Sequence, residues 1–270
     1  MLGMVLQGRA QQDTTPTPKA GDTVKVGGII IINRDEHGDH GGAITWDSTG
    51  KVHHYRFRSS SGKISTHWLL VDFGFNNYID NTQYASQATQ SLSPGATASR
   101  FTLRNGKSIN FNLWFFMQKI NLVKGVVNLR YGLGIETYNF RYTDNIVYKQ
   151  NPLQIVQVDT PNYRKNKLAT DFLTVPVMLN FCFNPGHDNP IGLGIGMSAG
   201  YLYSGRQKLI SDEYGKQKTH SSFNLEPWRF AYIAEINMGP IGIYGSLATR
   251  SMYKYGLDMT PYAVGIRLDY

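Results

Sequence analysis

The chain has 270 residues, a formal net charge of +8, 13% aromatic residues and a single cysteine, Cys182. One cysteine excludes an internal disulfide framework and a cysteine-based zinc cluster, and no apolar run reaches the ~20 residues of a membrane-spanning helix. The basic balance suits anionic partners in general, but the lysines and arginines are scattered through turns and the amino-terminal region, which argues against a nucleic-acid-binding protein.

Residues 1–10 (MLGMVLQGRA) carry a short apolar patch and a small residue before the polar Gln11-Gln12-Asp13. This predicts the tail of a secretory signal peptide whose basic first part would lie upstream. Residues 11–22, with Thr-Pro-Thr-Pro-Lys, read as a flexible linker. Residues 23–66 predict a small β-rich extension. One strand is expected over Val24–Asn33, then a charged Gly-rich loop over residues 34–42, then short strands at Ala43–Trp46 and Lys51–Arg58. His37, Asp39 and His40, with His53 and His54 nearby in sequence, bring imidazole and carboxylate, which are metal-ligand types. Their spacing matches no established metal motif, so a solvated turn is the preferred reading and no metal is assigned.

From His67 the pattern changes to period two, the alternation of a strand with two different faces. Leu69, Val71, Phe73 and Phe75 share one face; Trp68, Leu70, Asp72, Gly74 and Asn76 share the other. After a polar stretch, residues 78–107, Ile109, Phe111, Leu113, Phe115 and Met117 alternate with Asn110, Asn112, Trp114, Phe116 and Gln118. A short turn leads to Val127, Leu129, Tyr131, Leu133 and Ile135, opposed by Asn128, Arg130, Gly132, Gly134 and Glu136. Residues 143–170 form a second long polar connection. The fourth strand places Leu173, Val175, Val177, Leu179 and Phe181 against Thr174, Pro176, Met178, Asn180 and Cys182. Proline cannot donate to a ladder, so a bulge is expected at Pro176.

Residues 184–190 (NPGHDNP) predict a compact turn. The fifth strand sets Ile191, Leu193, Ile195, Met197, Ala199, Tyr201 and Tyr203 against Gly192, Gly194, Gly196, Ser198 and Gly200. Residues 205–222 read as a polar loop. Trp228, Phe230, Tyr232, Ala234 and Ile236 then oppose Arg229, Ala231, Ile233, Glu235 and Asn237. A tight Met238-Gly239-Pro240 turn and a strand from Ile241 to about Arg250 follow. In the final strand, Tyr262, Val264, Ile266, Leu268 and Tyr270 oppose Ala263, Gly265, Arg267 and Asp269.

Eight strands, with connections alternating long and short, predict an all-β, antiparallel, up-and-down transmembrane barrel over residues 67–270. Large aliphatic and aromatic side chains would face lipid. Asp72, Arg130, Glu136, Arg229, Glu235, Arg267 and Asp269 would face the lumen. An eight-stranded barrel is narrow enough to be filled by side chains, and buried charges must pair, so these residues predict a structural ion network that plugs the lumen. An even strand count puts both barrel ends on the short-turn, periplasmic side, together with residues 23–66.

Three segments carry a family resemblance: WLLVDFGFNNYIDNT (Trp68–Thr82), FLTVPVMLNF (Phe172–Phe181) and PYAVGIRLDY (Pro261–Tyr270). They resemble the PorT-like outer-membrane β-barrel family abundant in Bacteroidetes, over about residues 67–270. The resemblance implies export behind a signal peptide, insertion by the barrel-assembly machinery and residence in the outer membrane; it carries no catalytic motif. The leading expectation is a structural or surface-interaction barrel without cofactor, contacting outer-membrane lipid and a protein partner through its long extracellular loops or its extension. Three alternatives are weighed beside it. An enzyme at the outer rim would draw on His220, beside Ser221 and Ser222, or on His67, but no spacing joins nucleophile, base and acid. A narrow porin-like channel would need an open lumen. A soluble lipocalin-type barrel would need the apolar face inside, the inverse of this pattern.

Overall fold

Two compact units divide the chain, residues 1–62 and 63–270. The computed structural model describes residues 23–26, 29–32, 40–46, 52–58, 64–123, 125–183 and 190–268, with side chains from Ile64 onward. Within the first unit, β1 (Thr23–Val26), β2 (Ile29–Ile32), β3 (His40–Trp46) and β4 (Val52–Arg58) pair in that order as an antiparallel meander. The single strand expected over Val24–Asn33 is therefore two, with Thr23 opposite Ile32 and Val26 opposite Ile29. The expected signal peptide and linker lie outside the described residues, as do His37 and Asp39. The backbone of the sheet sets His40 opposite Arg58, and His53 and His54 opposite Thr45 and Ile44.

The second unit contains β5 (Ile64–Asp80), α1 (Gln87–Leu92), β6 (Ile109–Val123), β7 (Val127–Arg141), β8 (Ile146–Gln150), β9 (Leu153–Gln157), β10 (Lys165–Cys182), β11 (Ile191–Ser211), β12 (Gly215–His220), β13 (Trp228–Met238), β14 (Ile241–Ala248) and β15 (Met259–Leu268). Eight of these strands run antiparallel in the order β10-β7-β6-β5-β15-β14-β13-β11, and β11 pairs back onto β10. The sheet is thus a closed eight-stranded barrel without a free edge. Every large apolar side chain along an outward row is solvent-facing: Val264 is 55% and Ile266 53% exposed, while Asp72 is 0% exposed. A water-soluble barrel would have the opposite sidedness. No described helix is long and apolar enough to cross a membrane, so crossing falls to the strands.

The expected alternation holds along β7, β10 and β13 to β15 and inverts on the paired strands β5 and β6, at Leu69 and Phe115. Trp114 pairs with Gly134 and Phe116 with Leu133, leaving Phe115 as an extra residue in β6. A bulge of this kind moves all later side chains to the opposite face. Met117 consequently points inward, buried against Leu70 and Trp114, whereas Phe116 points outward. Gln118 is outward too, accepting a 2.5 Å hydrogen bond from the Tyr131 hydroxyl. These positions correct the expected faces of Phe116, Met117 and Gln118. Trp68 is corrected with them: it is exposed, its ring 6.0 Å from that of Phe116, beside Leu69 at φ +58. The bulge expected at Pro176 is also misplaced. Pro176 stays in register with Ser198 while its pairing with β7 lapses, and the register shift of the β10–β11 ladder falls at Asp171/Phe172.

Gly74 and Gly265 sit opposite each other on β5 and β15. A Cβ at Gly74 would lie 2.4 Å from the Val264 carbonyl oxygen and 2.7 Å from the Tyr244 hydroxyl. The absent side chains let a lumenal tyrosine occupy that space.

Candidate functional site: a plugged lumen under an ordered cap

The lumen is built from inward positions on seven strands. Asp72 accepts from Arg267 Nε and Nη2 at 2.7 and 2.8 Å, from Trp114 Nε1 at 2.8 Å and from Asn112 Nδ2 at 3.2 Å. Arg267 reaches onward to Glu235, which also takes Arg130 Nη1 at 2.8 Å and Asn237 Nδ2 at 2.9 Å. A second group is separate: Arg229 Nη1 donates to Glu136 at 2.9 Å and its Nη2 to Ser246 Oγ at 2.7 Å, while Thr174 Oγ1 donates to Glu136 at 3.1 Å. The Arg229 guanidinium lies 4.6 Å from the centre of the Tyr138 ring, a cation–π contact. Tyr244 extends the first group, its hydroxyl donating to Asn110 Oδ1 at 2.5 Å, and Asn110 donates to Asn112 at 3.0 Å.

Of the seven charged residues expected in the lumen, six are therefore brought together there: three carboxylates and three guanidiniums, all buried. Asp269 lies outside the described residues. Neutralisation and dense hydrogen bonding are what make buried charge tolerable. The cavity among Asp72, Trp114, Glu136, Glu235, Tyr244 and Arg267 measures ≈ 10 Å³, room for about one water.

Above this plug the three long connections and the shorter one before β15 do not behave as solvated loops. Helix α1, the β8–β9 hairpin, residues 221–226 and residues 249–258 fold over the barrel mouth. They bury Leu92, Phe101, Ile146, Ile155, Leu225 and Leu257 with Phe140 and Phe172 from the barrel wall. Ser86 caps α1, accepting from the Thr89 amide at 3.2 Å. Ser93 Oγ donates to the Ile155 carbonyl at 2.8 Å, tying α1 to the hairpin. At the centre, the hydroxyls of Tyr142, Tyr148 and Tyr253 form a chain with two 2.6 Å links. Burial pushes the Tyr148 and Tyr253 phenols well above their ordinary range. The stretch read as polar loop over residues 205–222 is instead the end of β11 and all of β12, and residues 143–170 include β8, β9 and the start of β10. Sequence reading missed this cap because its apolar residues are dispersed among Asn, Ser and Thr. The spaced Leu92, Phe101 and Leu103 were the signal available.

Of the histidines considered for chemistry, His220 ends β12, exposed and in register with Arg206. His67 lies on β5 opposite Met117, toward the short-turn end.

A closed antiparallel barrel, greasy outside and ion-paired inside, is a transmembrane β-barrel. The model of the outer membrane protein beta-barrel domain matches residues 69–258, and the chain belongs to that family and resides in the outer membrane. No curated protein matches the chain. Among solved structures, Ail of Yersinia pestis, an attachment invasion locus protein, is 10% identical over 76% of this chain and 98% of its own, with a TM-score of 0.33 in its complex with sucrose octasulfate. A porin variant of Rhodopseudomonas blastica is 10% identical over 92% of this chain and 88% of its own, with a TM-score of 0.14. Superpositions this loose carry nothing about function.

Proposed function

We propose that the protein is a closed outer-membrane barrel with a structural or surface-interaction role, and that it neither conducts nor catalyses. One observation carries the reading: the passage is blocked twice, by neutralised ion pairs across the lumen and by an apolar cap over the extracellular mouth. A porin-like path would need a continuous wet lumen. An outer-rim enzyme would need an acid orienting its base, and the residue in register with His220 is the cation Arg206. The ordered cap offers a fixed surface to a protein partner, and residues 23–66 offer a second. Outer-membrane lipid surrounds the apolar rows, and the barrel-assembly machinery is the expected route of insertion. The strand patterns of Trp68–Thr82 and Phe172–Phe181 support PorT-like kinship.

Reconstitution of the purified barrel in planar bilayers tests this. The expected result is no stepwise ionic current across ±100 mV (about the range of a biological membrane potential). Sustained single-channel openings would overturn the proposal.

A further inference from the structure

β7, β10 and β11 run on past the apolar rows, and their ladders fix which side chains meet there. Arg141 is opposite Lys167, Lys167 opposite Lys208, and Lys208 opposite Lys218. Four cations thus form one rung across four adjacent strands. At ~4.8 Å between strands the rung is about 14 Å wide. Arg141, Lys167 and Lys208 point outward, since their neighbours Tyr142, Leu168, Gln207 and Leu209 are buried, and Lys218, directly opposite Lys208 on the fully exposed β12, shares its face. The flanking rungs add Lys165 and Lys216 on one side and Arg206 on the other.

Like charges directly opposite on a sheet repel, and the described residues do little to relieve them. Lys167 Nζ donates to the neutral Asn139 side chain at 2.6 Å, and Arg141 Nη2 to the Arg164 carbonyl at 3.0 Å. Among the described residues, no carboxylate forms a salt bridge with any of the four. Asp171, the nearest acid on β10, is engaged by Arg206 and by Thr137 Oγ1. Asp212 and Glu213 sit beyond, in the turn between β11 and β12. Above the membrane-spanning part of β10, the Lys167 ammonium is pushed down to about 8 by burial and by Lys165, Arg206 and Lys208, the response of a cation crowded by others.

Height and direction narrow the anion. The last apolar outward residue of β10 is Leu173, six residues from Lys167. At ~3.3 Å per residue and ~40° of tilt this is about 15 Å above the hydrocarbon edge. The phospholipid headgroup layer is only about 5–8 Å deep. The rung therefore stands higher than a phospholipid phosphate, and it faces sideways along the membrane, not up toward the medium. We propose that this outward cationic rung binds the phosphorylated saccharide headgroup of a glycolipid anchored in the same leaflet. The site requires the membrane orientation but not the closed lumen.

The test uses the full chain in dodecyl-maltoside micelles, titrated with deep-rough lipopolysaccharide, with the same material after hydrogen fluoride dephosphorylation, and with heparin as a soluble polyanion. Among the described residues the Lys208 and Lys218 side chains form no hydrogen bond, so K208Q/K218Q leaves the ladder intact; K107Q/K254Q removes equal charge elsewhere. The expected result is about 30-fold weaker glycolipid binding for K208Q/K218Q, unchanged binding for K107Q/K254Q, and weak binding of the dephosphorylated material. Equal loss in both double variants would reduce the effect to net charge and overturn the site. So would undiminished binding of dephosphorylated glycolipid, or heparin binding tighter than the glycolipid with the same dependence on Lys208 and Lys218.

Discussion

The Glu136–Arg229 pair isolates one buried ion pair from the larger lumenal network, so its worth can be measured. Both groups are buried, 2% and 6% exposed, and among the described residues the side-chain partners of Glu136 are Arg229 and the Thr174 hydroxyl. Glu136→Gln leaves the guanidinium with Ser246 and the Tyr138 face but no counter-charge. Arg229→Met leaves the carboxylate with one hydroxyl. Each single change should cost about 3–5 kcal/mol, the range for stranding one member of a buried pair. With both replaced no charge is stranded, and E136Q/R229M should cost at least ~2 kcal/mol less than the sum of the singles. Urea unfolding in micelles, followed by tryptophan fluorescence, reads this out. At a slope near 3 kcal/mol/M the single variants shift the midpoint down by about 1–2 M. Additive losses would refute the reasoning, because they would mean the two groups do not meet inside the barrel.

Two further outcomes follow from particular side chains. In brominated-lipid vesicles a variant retaining only Trp68 should be strongly quenched and one retaining only Trp114 should not, because the irregularity at Leu69 and Phe115 sends them to opposite faces; equal quenching would remove that inversion. The cap tyrosines give a pH dependence. In the fold, burial raises the pKa of Tyr148 and Tyr253 well above the ordinary phenol value, so the stability they confer is whole below the unfolded value near 10 and is lost as pH rises above it. Ultraviolet titration should show wild type ionising its last phenols together with cap opening, whereas Y148F/Y253F shows a smaller, earlier-completed step; independent titration of every phenol near pH 10 would contradict the buried triad.

The barrel was legible because lumen and lipid demand different chemistry, and period-two alternation writes that difference into the chain. Arg130 beside Leu129 and Arg267 beside Ile266 leave little choice of face. The Phe115 bulge was illegible for the same reason. Trp114, Phe115, Phe116 and Met117 are apolar and suit either face, so no polarity marks where the phase inverts; only the neighbouring strand's residue count reveals it. The cap depends on contacts between distant segments, such as Ser93 with Ile155 and Thr89 with Gly256, which no local pattern encodes. The cationic rung is likewise a property of register. Arg141, Lys167, Lys208 and Lys218 are unremarkable in sequence and meet only when the barrel closes.

The sidedness of β15 is the claim on which the rest stands. Nitroxide labels placed singly at residues 262 to 267 in nanodiscs report it by relaxation enhancement. Labels replacing Tyr262, Val264 and Ile266 should be reached by dissolved oxygen and sheltered from a water-soluble nickel chelate, and those replacing Ala263, Gly265 and Arg267 should be reached weakly by both. Strong nickel access at Val264 and Ile266, with oxygen concentrated at Ala263 and Gly265, would contradict a barrel that turns its apolar rows toward lipid.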